Sequence, residues 1–121
     1  MIGVGIDLLE IARMREALER RPRLAERVFT REERAYAEAR KNSAQHFAAR
    51  FCAKESVAKA LGLTAWAFKD VEVVATGAAP RVRLSGRAAE AAAERGAEIH
   101  LSLTHSELTA GAVAVAVRAH S

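Results

Sequence analysis

The chain opens with apolar residues at every second position, which predicts a β-strand from Ile2 to about Leu9. One face of this strand carries branched apolar side chains, at positions 2, 4, 6 and 8. The opposite face carries Gly3, Gly5 and Asp7. Small residues there leave either open room beside a carboxylate or a surface against which a neighbouring element packs closely.

Helical spacing follows the first strand. Apolar residues three and four positions apart predict a helix from Glu10 to Arg21, which Pro22 ends. The stretch Thr30–Glu33 has the pattern of a capping box and predicts a helix that runs towards Arg40.

The most informative predicted helix runs from about Ser43 to Leu61. It places Lys54 within an apolar stripe and Glu55 on the shoulder of that stripe. Gly62 is suited to end the helix in the left-handed conformation. Because a core-facing helix rarely carries such charges without a partner, both side chains are candidates for a specific role.

The second half of the chain is rich in strand patterns. Two short strands, Val71–Ala75 and Arg81–Leu84, flank a turn, and an alanine-rich helix at 87–95 precedes Gly96. The final strands, near 99–104 and at 110–117, form a predicted hairpin. The order predicts an α+β fold in which a mostly antiparallel sheet packs against a long helix, as a single domain over 1–121.

Composition narrows the classes of protein that fit. Cys52 is the only cysteine, so the chain has neither an intrachain disulfide nor a cysteine-based zinc site, and we expect Cys52 to be a small buried residue. The first ten residues lack the basic region of a signal peptide, and no apolar run approaches the ~20 residues that cross a bilayer. We therefore expect a cytoplasmic protein.

The net charge of +4 indicates an acidic partner, which could be nucleic acid, a membrane surface, an acidic protein or a polyphosphate. Nucleic acid is disfavoured because the arginines do not interleave with exposed aromatic residues. A basic cluster with apolar residues between its members lies between residues 13 and 27.

Asp7 and Glu55 are candidate ligands for Mg²⁺, which binds one or two carboxylates together with phosphate oxygens. Glu55 could instead pair with Lys59 one turn away, and Asp7 could cap the helix near Glu10. Spacing alone favours these local pairings over a metal site.

Three cations on the long helix, Arg50, Lys54 and Lys59, could contact phosphate or form a solvated face. His105, at the mouth of the predicted hairpin, is a hydrogen-bonding group when neutral and a phosphate contact when protonated. The other histidines, His46, His100 and His120, show no ligand spacing.

Three blocks together resemble the holo-acyl-carrier-protein synthase family of 4'-phosphopantetheinyl transferases. They are GIDLLEIAR at 5–13, FAARFCAKESVAKALG at 47–62 and LSLTHS at 101–106, and the stretch 29–33 also fits. The middle block is highly specific, whereas each of the others is weak by itself. The likeness extends over essentially the whole chain.

The resemblance implies transfer of the 4'-phosphopantetheine arm from coenzyme A to a serine of apo-acyl carrier protein, with release of adenosine 3',5'-bisphosphate. It implies Mg²⁺ held by Asp7 and Glu55, which reverses the preference for local pairings. It also implies catalytic roles for Glu55 and Lys59, and coenzyme A contacts by Arg50, Lys54, Lys59 and His105. The proton acceptor, either Glu55 or a metal-bound water, is left open.

Members with one domain are typically homotrimers whose active sites lie between subunits, so the resemblance implies the same assembly here. Because acyl carrier proteins are acidic, we expect the basic cluster to bind the carrier protein. The expected contacts are Arg13, Arg20, Leu24 and Arg27. The loop at 63–68 departs from the family pattern, and we expect Trp66 and Phe68 to pack in the core. The rival within the same chemistry is a Mg²⁺-dependent phosphohydrolase.

Overall fold

The structure, a computed structural model, describes residues 1–120. Its helices are α1 (Ile11–Arg20), α2 (Leu24–Val28), α3 (Arg31–Glu38), α4 (Ser43–Leu61) and α5 (Gly86–Arg95). Its strands are β1 (Gly3–Glu10), β2 (Val71–Val74), β3 (Arg81–Leu84), β4 (Ala97–His105) and β5 (Thr109–Arg118). A 3₁₀ turn, Phe68–Asp70, precedes β2.

All strand pairs are antiparallel. One sheet has the order β1-β5-β4, with β5 in the middle, and β2 pairs with β3 in a separate hairpin. The predicted α+β fold with a mostly antiparallel sheet and a long helix is therefore confirmed. The sequence did not predict α2 as a helix, because its five residues are too few for a clear helical period.

Helix α4 packs across one face of the three-stranded sheet. The sheet meets it with a row of small buried residues on β5, namely Ala110, Ala112, Ala114 and Ala116. Most of α4 is buried, including Cys52, as expected. The helix ends at Gly62, whose φ of 66° is the left-handed conformation predicted for it.

The glycine face of β1 is the one that packs against α4. A Cβ atom added at Gly3 would collide with the carbonyl oxygen of Ala60, and one added at Gly5 with that of Ser56. The glycines therefore allow the strand to lie directly on the helix backbone. This contact turns the side chain of Asp7 towards α4, since residues 3, 5 and 7 share a face.

The other face of the sheet is open and apolar along β1. Its exposed residues are Ile2, Val4, Ile6 and Leu8, and Leu108 at the β4–β5 turn is exposed as well. Val113 and Val115, directly opposite Ile6 and Val4, extend this apolar face onto β5. In the described residues, no helix combines the length and apolarity that crossing a membrane requires.

A buried ion pair joins α3 to α4. The Lys54 ammonium lies 2.8 Å from a Glu33 carboxylate oxygen, and both side chains are fully buried. Lys54 also donates to the carbonyl oxygens of Phe68 and Val71. Glu33 accepts hydrogen bonds from the backbone N–H groups of Thr30 and Val73, and the Thr30–Glu33 capping box is formed as predicted. The pair thus ties both helices to β2.

Removing one member of this pair should be more harmful than removing both charges. We expect Lys54→Met to lower the free energy of unfolding by about 3–5 kcal/mol, because it leaves the Glu33 carboxylate buried without a counter-charge. Adding Glu33→Gln should recover part of the loss, since glutamine keeps the cap and carries no charge. Urea unfolding at fixed protein concentration measures both. A Lys54→Met variant as stable as the parent would contradict this view of the core.

Candidate active site

Asp7 and Glu55 lie on the same side of the molecule, where β1 crosses α4. The Lys59 ammonium lies 3.5 Å from a carboxylate oxygen of Asp7 and donates a 2.9 Å hydrogen bond to the carbonyl oxygen of Ile6. Glu55 is one turn before Lys59 on α4. Burial and the negative charge of Asp7 raise the pKa of Glu55, whereas Lys59 opposes the shift.

Neither local alternative for these carboxylates is seen in the part of the chain that the structure describes. No side chain caps α1, so Asp7 does not serve as its cap. Lys59 contacts Asp7 rather than Glu55, and the Glu55 carboxylate has no hydrogen bond or ion pair to a described residue. Two neighbouring carboxylates, of which Glu55 has no partner among the described residues, form a candidate cation-binding site.

Cys52 lies beneath this pair of carboxylates. Its thiol is fully buried, and burial together with the nearby Asp7 raises the pKa of Cys52 to about 12. The thiol therefore stays protonated at neutral pH, and we assign it no part in the chemistry.

A second group of polar residues surrounds an open cavity of about 540 Å³ between α3, α4, the β2–β3 turn and the end of β4. Its basic members are Arg40, His46, Arg50 and His105. The Arg50 side chain is buried, with 4% of its surface exposed, and its Nε atom has no hydrogen-bond partner among the described residues. A buried guanidinium with a free donor at the edge of a cavity suits an anionic ligand.

His46 belongs to this cavity although its position in the sequence showed no ligand spacing. Burial lowers the pKa of His46, and the positive charges of Arg50 and Arg40 lower it further, as does His105. The imidazole is therefore neutral at physiological pH. Its position four residues before Arg50 on α4, on the same helix face, was the signal available in the sequence.

The two groups occupy opposite flanks of α4. Arg50 and Glu55 are five residues apart, which separates them by about 140° around the helix axis and about 7.5 Å along it. Asp7 is on β1 and His105 on β4, the two outer strands of the sheet. Within one chain the structure therefore brings Asp7, Glu55 and Lys59 together, and separately Arg50 and His105.

Lys54 belongs to neither group. Its ammonium has three oxygen partners within the core, which matches its three donors. The expectation that Lys54 contacts coenzyme A is therefore corrected, because the side chain is fully buried and its donors are already engaged.

A small apolar groove of about 310 Å³ lies between α1, α2 and α4. Leu24, Met14 and Phe51 line it, and Arg13 stands at its rim with Arg21. Arg20 and Arg27 are exposed on the same two helices but do not line the groove. The aromatic ring of Phe68 packs on Phe51, and Trp66 packs on Phe68, so the departing loop supports this region.

Comparison with known proteins identifies the family. The family model of the 4'-phosphopantetheinyl transferase superfamily matches residues 3–117, and the chain belongs to this superfamily. The family predicted from the three sequence blocks is thereby confirmed, and the protein is a transferase.

The similarity covers nearly the whole length of individual relatives. The holo-[acyl-carrier-protein] synthase of Caldanaerobacter subterraneus is 42% identical over 120 residues, which span 96% of this chain and 94% of the relative. The crystal structure of the holo-ACP-synthase from Plasmodium yoelii has a TM-score of 0.85 and 29% identity, with 99% of this chain and 97% of that one covered. The holo-(acyl-carrier-protein) synthase of Bacillus anthracis, solved in complex with CoA (3',5'-ADP), has a TM-score of 0.80 and 30% identity, with 98% and 97% covered.

Proposed function

We propose that this protein transfers the 4'-phosphopantetheine arm of coenzyme A to a serine of apo-acyl carrier protein. The observation that carries the proposal is the convergence of Asp7, Glu55 and Lys59 where β1 crosses α4. The relatives described above are holo-acyl-carrier-protein synthases, and one was solved with coenzyme A. The cavity around Arg50 and His105 offers a second, cationic surface for the phosphates of the same substrate.

The carboxylate pair fits Mg²⁺. Burial raises the pKa of Glu55, and repulsion by the neighbouring Asp7 carboxylate raises it further. A divalent cation between the two carboxylates would relieve that repulsion. Within the described residues no group of three or more histidine, cysteine or acidic side chains forms a complete metal cage. Magnesium does not need one, because it fills its shell with water and substrate phosphates.

In the reaction, the serine oxygen forms a bond to the β-phosphorus of coenzyme A. The bond from that phosphorus to the oxygen of the leaving adenosine 3',5'-bisphosphate breaks, and the serine proton passes to a base. Mg²⁺ held by Asp7 and Glu55 would offset the negative charge that builds on the leaving group. Lys59 adds a fixed positive charge beside Asp7. Glu55 is our candidate for the base, through the carboxylate oxygen that would not hold the cation.

We expect shape-preserving changes of either carboxylate to abolish transfer. Asp7→Asn and Glu55→Gln should each lower kcat/KM by about 10³-fold or more, because each weakens the site for Mg²⁺. Intact mass of the carrier, incubated with coenzyme A and Mg²⁺, measures the added phosphopantetheine, and a chelator should abolish the addition.

The matched control is Glu90→Gln, an exposed carboxylate on α5 whose loss should leave transfer unchanged. Full activity of Asp7→Asn or Glu55→Gln would refute the metal assignment. Consumption of coenzyme A with an unmodified carrier would instead favour the phosphohydrolase.

The groove at α1 and α2 is our candidate docking site for the carrier protein. Its apolar floor contains Leu24, and the arginine at its rim, Arg13, complements an acidic partner. Arg20 and Arg27 add positive charge on the same helices. Charged groups at the rim of an interface act mainly on the association rate and on orientation.

Reversing one rim charge should therefore affect the KM for the carrier protein and the KM for coenzyme A differently. We expect Arg13→Glu to raise the KM for the carrier about tenfold or more while changing the KM for coenzyme A little. Arg87→Glu, an exposed charge reversal on α5, is the control and should change neither constant. Equal effects of Arg13→Glu on both substrates would count against this docking site.

We further propose that the active enzyme is a homotrimer. The open face of β1 leaves four branched apolar side chains exposed, which a second copy of the chain would bury. The two candidate half-sites lie at opposite edges of the sheet, so contact between the β1 edge of one copy and the β4 edge of the next would unite them. Such a heterologous contact, repeated with a rotation of about 120° between copies, would close into a ring of three.

Mixing two inactive variants tests both the assembly and the shared site. In a ring of three, every mixed trimer of Asp7→Asn and Arg50→Met chains has one intact site, so a reassembled equal mixture should recover about one quarter of the parent activity. Ile6→Glu should give monomers in analytical ultracentrifugation, because it places a charge in the apolar face. No recovery on mixing, with trimers present, would show that each site is contained in one chain.

A further inference from the structure

Tyr36, on α3, lies at the centre of the basic residues around the cavity. The central guanidinium carbon of Arg40 is 3.4 Å from the centroid of its ring, and that of Arg50 is 3.9 Å from it. The ring of His46 meets the tyrosine edge-on, with centroids 5.6 Å apart and an interplanar angle of 82°. Tyr36, Arg40, His46 and Arg50 all line the cavity.

The two guanidinium groups stand on opposite faces of the ring. Both central carbons are within 4 Å of one centroid, and two planar cations have no room side by side over a single phenol ring at that distance. The negatively polarised faces of the ring attract both cations, so the ring separates two charges that would otherwise repel each other. Arg40 is held further by a 2.6 Å hydrogen bond that it donates to the backbone carbonyl oxygen of Tyr36.

The carboxylates near Arg50 do not hold it. Burial lowers the pKa of Arg50, and Tyr36 and then Glu33 oppose that shift. The oxygens of Glu33 are, however, engaged by Lys54 and by two backbone N–H groups. Among the described residues Arg50 forms no ion pair, and its Nε atom has no partner. The stack on Tyr36 is thus the contact that sets the direction of the guanidinium.

An aromatic ring differs from a carboxylate in what it leaves to a ligand. A carboxylate would neutralise an arginine and compete with a phosphate for its N–H groups. A ring orients the guanidinium through its face and leaves the N–H groups at the edge, together with the full positive charge, available.

We propose that Tyr36 is a positioning residue, which holds Arg40 and Arg50 on its two faces so that both present their N–H groups to a phosphate of coenzyme A in the cavity. The inference rests on the proposed function, in that the ligand of this cavity is taken to be coenzyme A. It extends the phosphate contacts from Arg50 and His105 to Arg40, with Tyr36 acting through the two arginines.

Substitutions that keep or remove the ring face test this role. Tyr36→Leu should weaken binding of adenosine 3',5'-bisphosphate, measured by isothermal titration calorimetry at fixed ionic strength, by about tenfold. Tyr36→Phe, which keeps the ring, should bind within about twofold of the parent. In steady-state assays Tyr36→Leu should raise the KM for coenzyme A and leave the KM for the carrier unchanged, which a general loss of structure would not do.

Arg50→Met separates this inference from the proposal on which it rests. If Arg50→Met binds the bisphosphate as the parent does, the cavity is not the phosphate site. Both the assignment of this cavity to coenzyme A and the positioning role of Tyr36 are then overturned. If Arg50→Met binds weakly but Tyr36→Leu binds normally, only the role of Tyr36 is overturned. Equal losses in Tyr36→Phe and Tyr36→Leu would also overturn it, because the hydroxyl and not the ring face would then matter. Should Tyr36→Leu fail to fold, Tyr36→Gln carries the same expectation, since it too lacks the ring.

Discussion

The close approach of β1 to the backbone of α4 is the constraint on which the candidate site depends. Only residues without a Cβ atom allow the strand to lie against the carbonyl oxygens of Ser56 and Ala60. At that separation the next residue on the same face, Asp7, comes within reach of Lys59 and into the field of Glu55. A bulkier strand would stand off from the helix and move one carboxylate away from the other.

Periodicity was sufficient to predict the elements that frame the site. The bounds of α4 and β3 match the prediction, and β1, α1, α5 and the final hairpin differ from it by only a few residues. These segments have strong alternation or clear end signals such as Gly62. Helix α2 was not predicted, because five residues cannot show a helical period against the arginines around them.

The environment of each charged side chain was harder to predict, because it depends on contacts between distant segments. Lys54 and Lys59 are both lysines on α4. Lys54 is buried in the core and paired with Glu33, whereas Lys59 is half exposed beside Asp7. Helical spacing indicates which residues share a face, but not which face meets a buried acid from α3. For the same reason the stacking of Tyr36 with Arg40 and Arg50 was visible only in three dimensions, whereas helical spacing alone places His46 on the face of Arg50.

The uncovered apolar row on β1 also bears on how the chain behaves just after synthesis. A newly folded single chain exposes apolar side chains along an edge strand, and such a surface promotes non-specific aggregation. Its surplus of positive charge, +4 overall, keeps like copies apart at long range and so slows such encounters. If copies assemble as proposed, yield in a cell should depend on how quickly they bury this face against one another, and rapid production at high concentration should give the greatest losses to insoluble material.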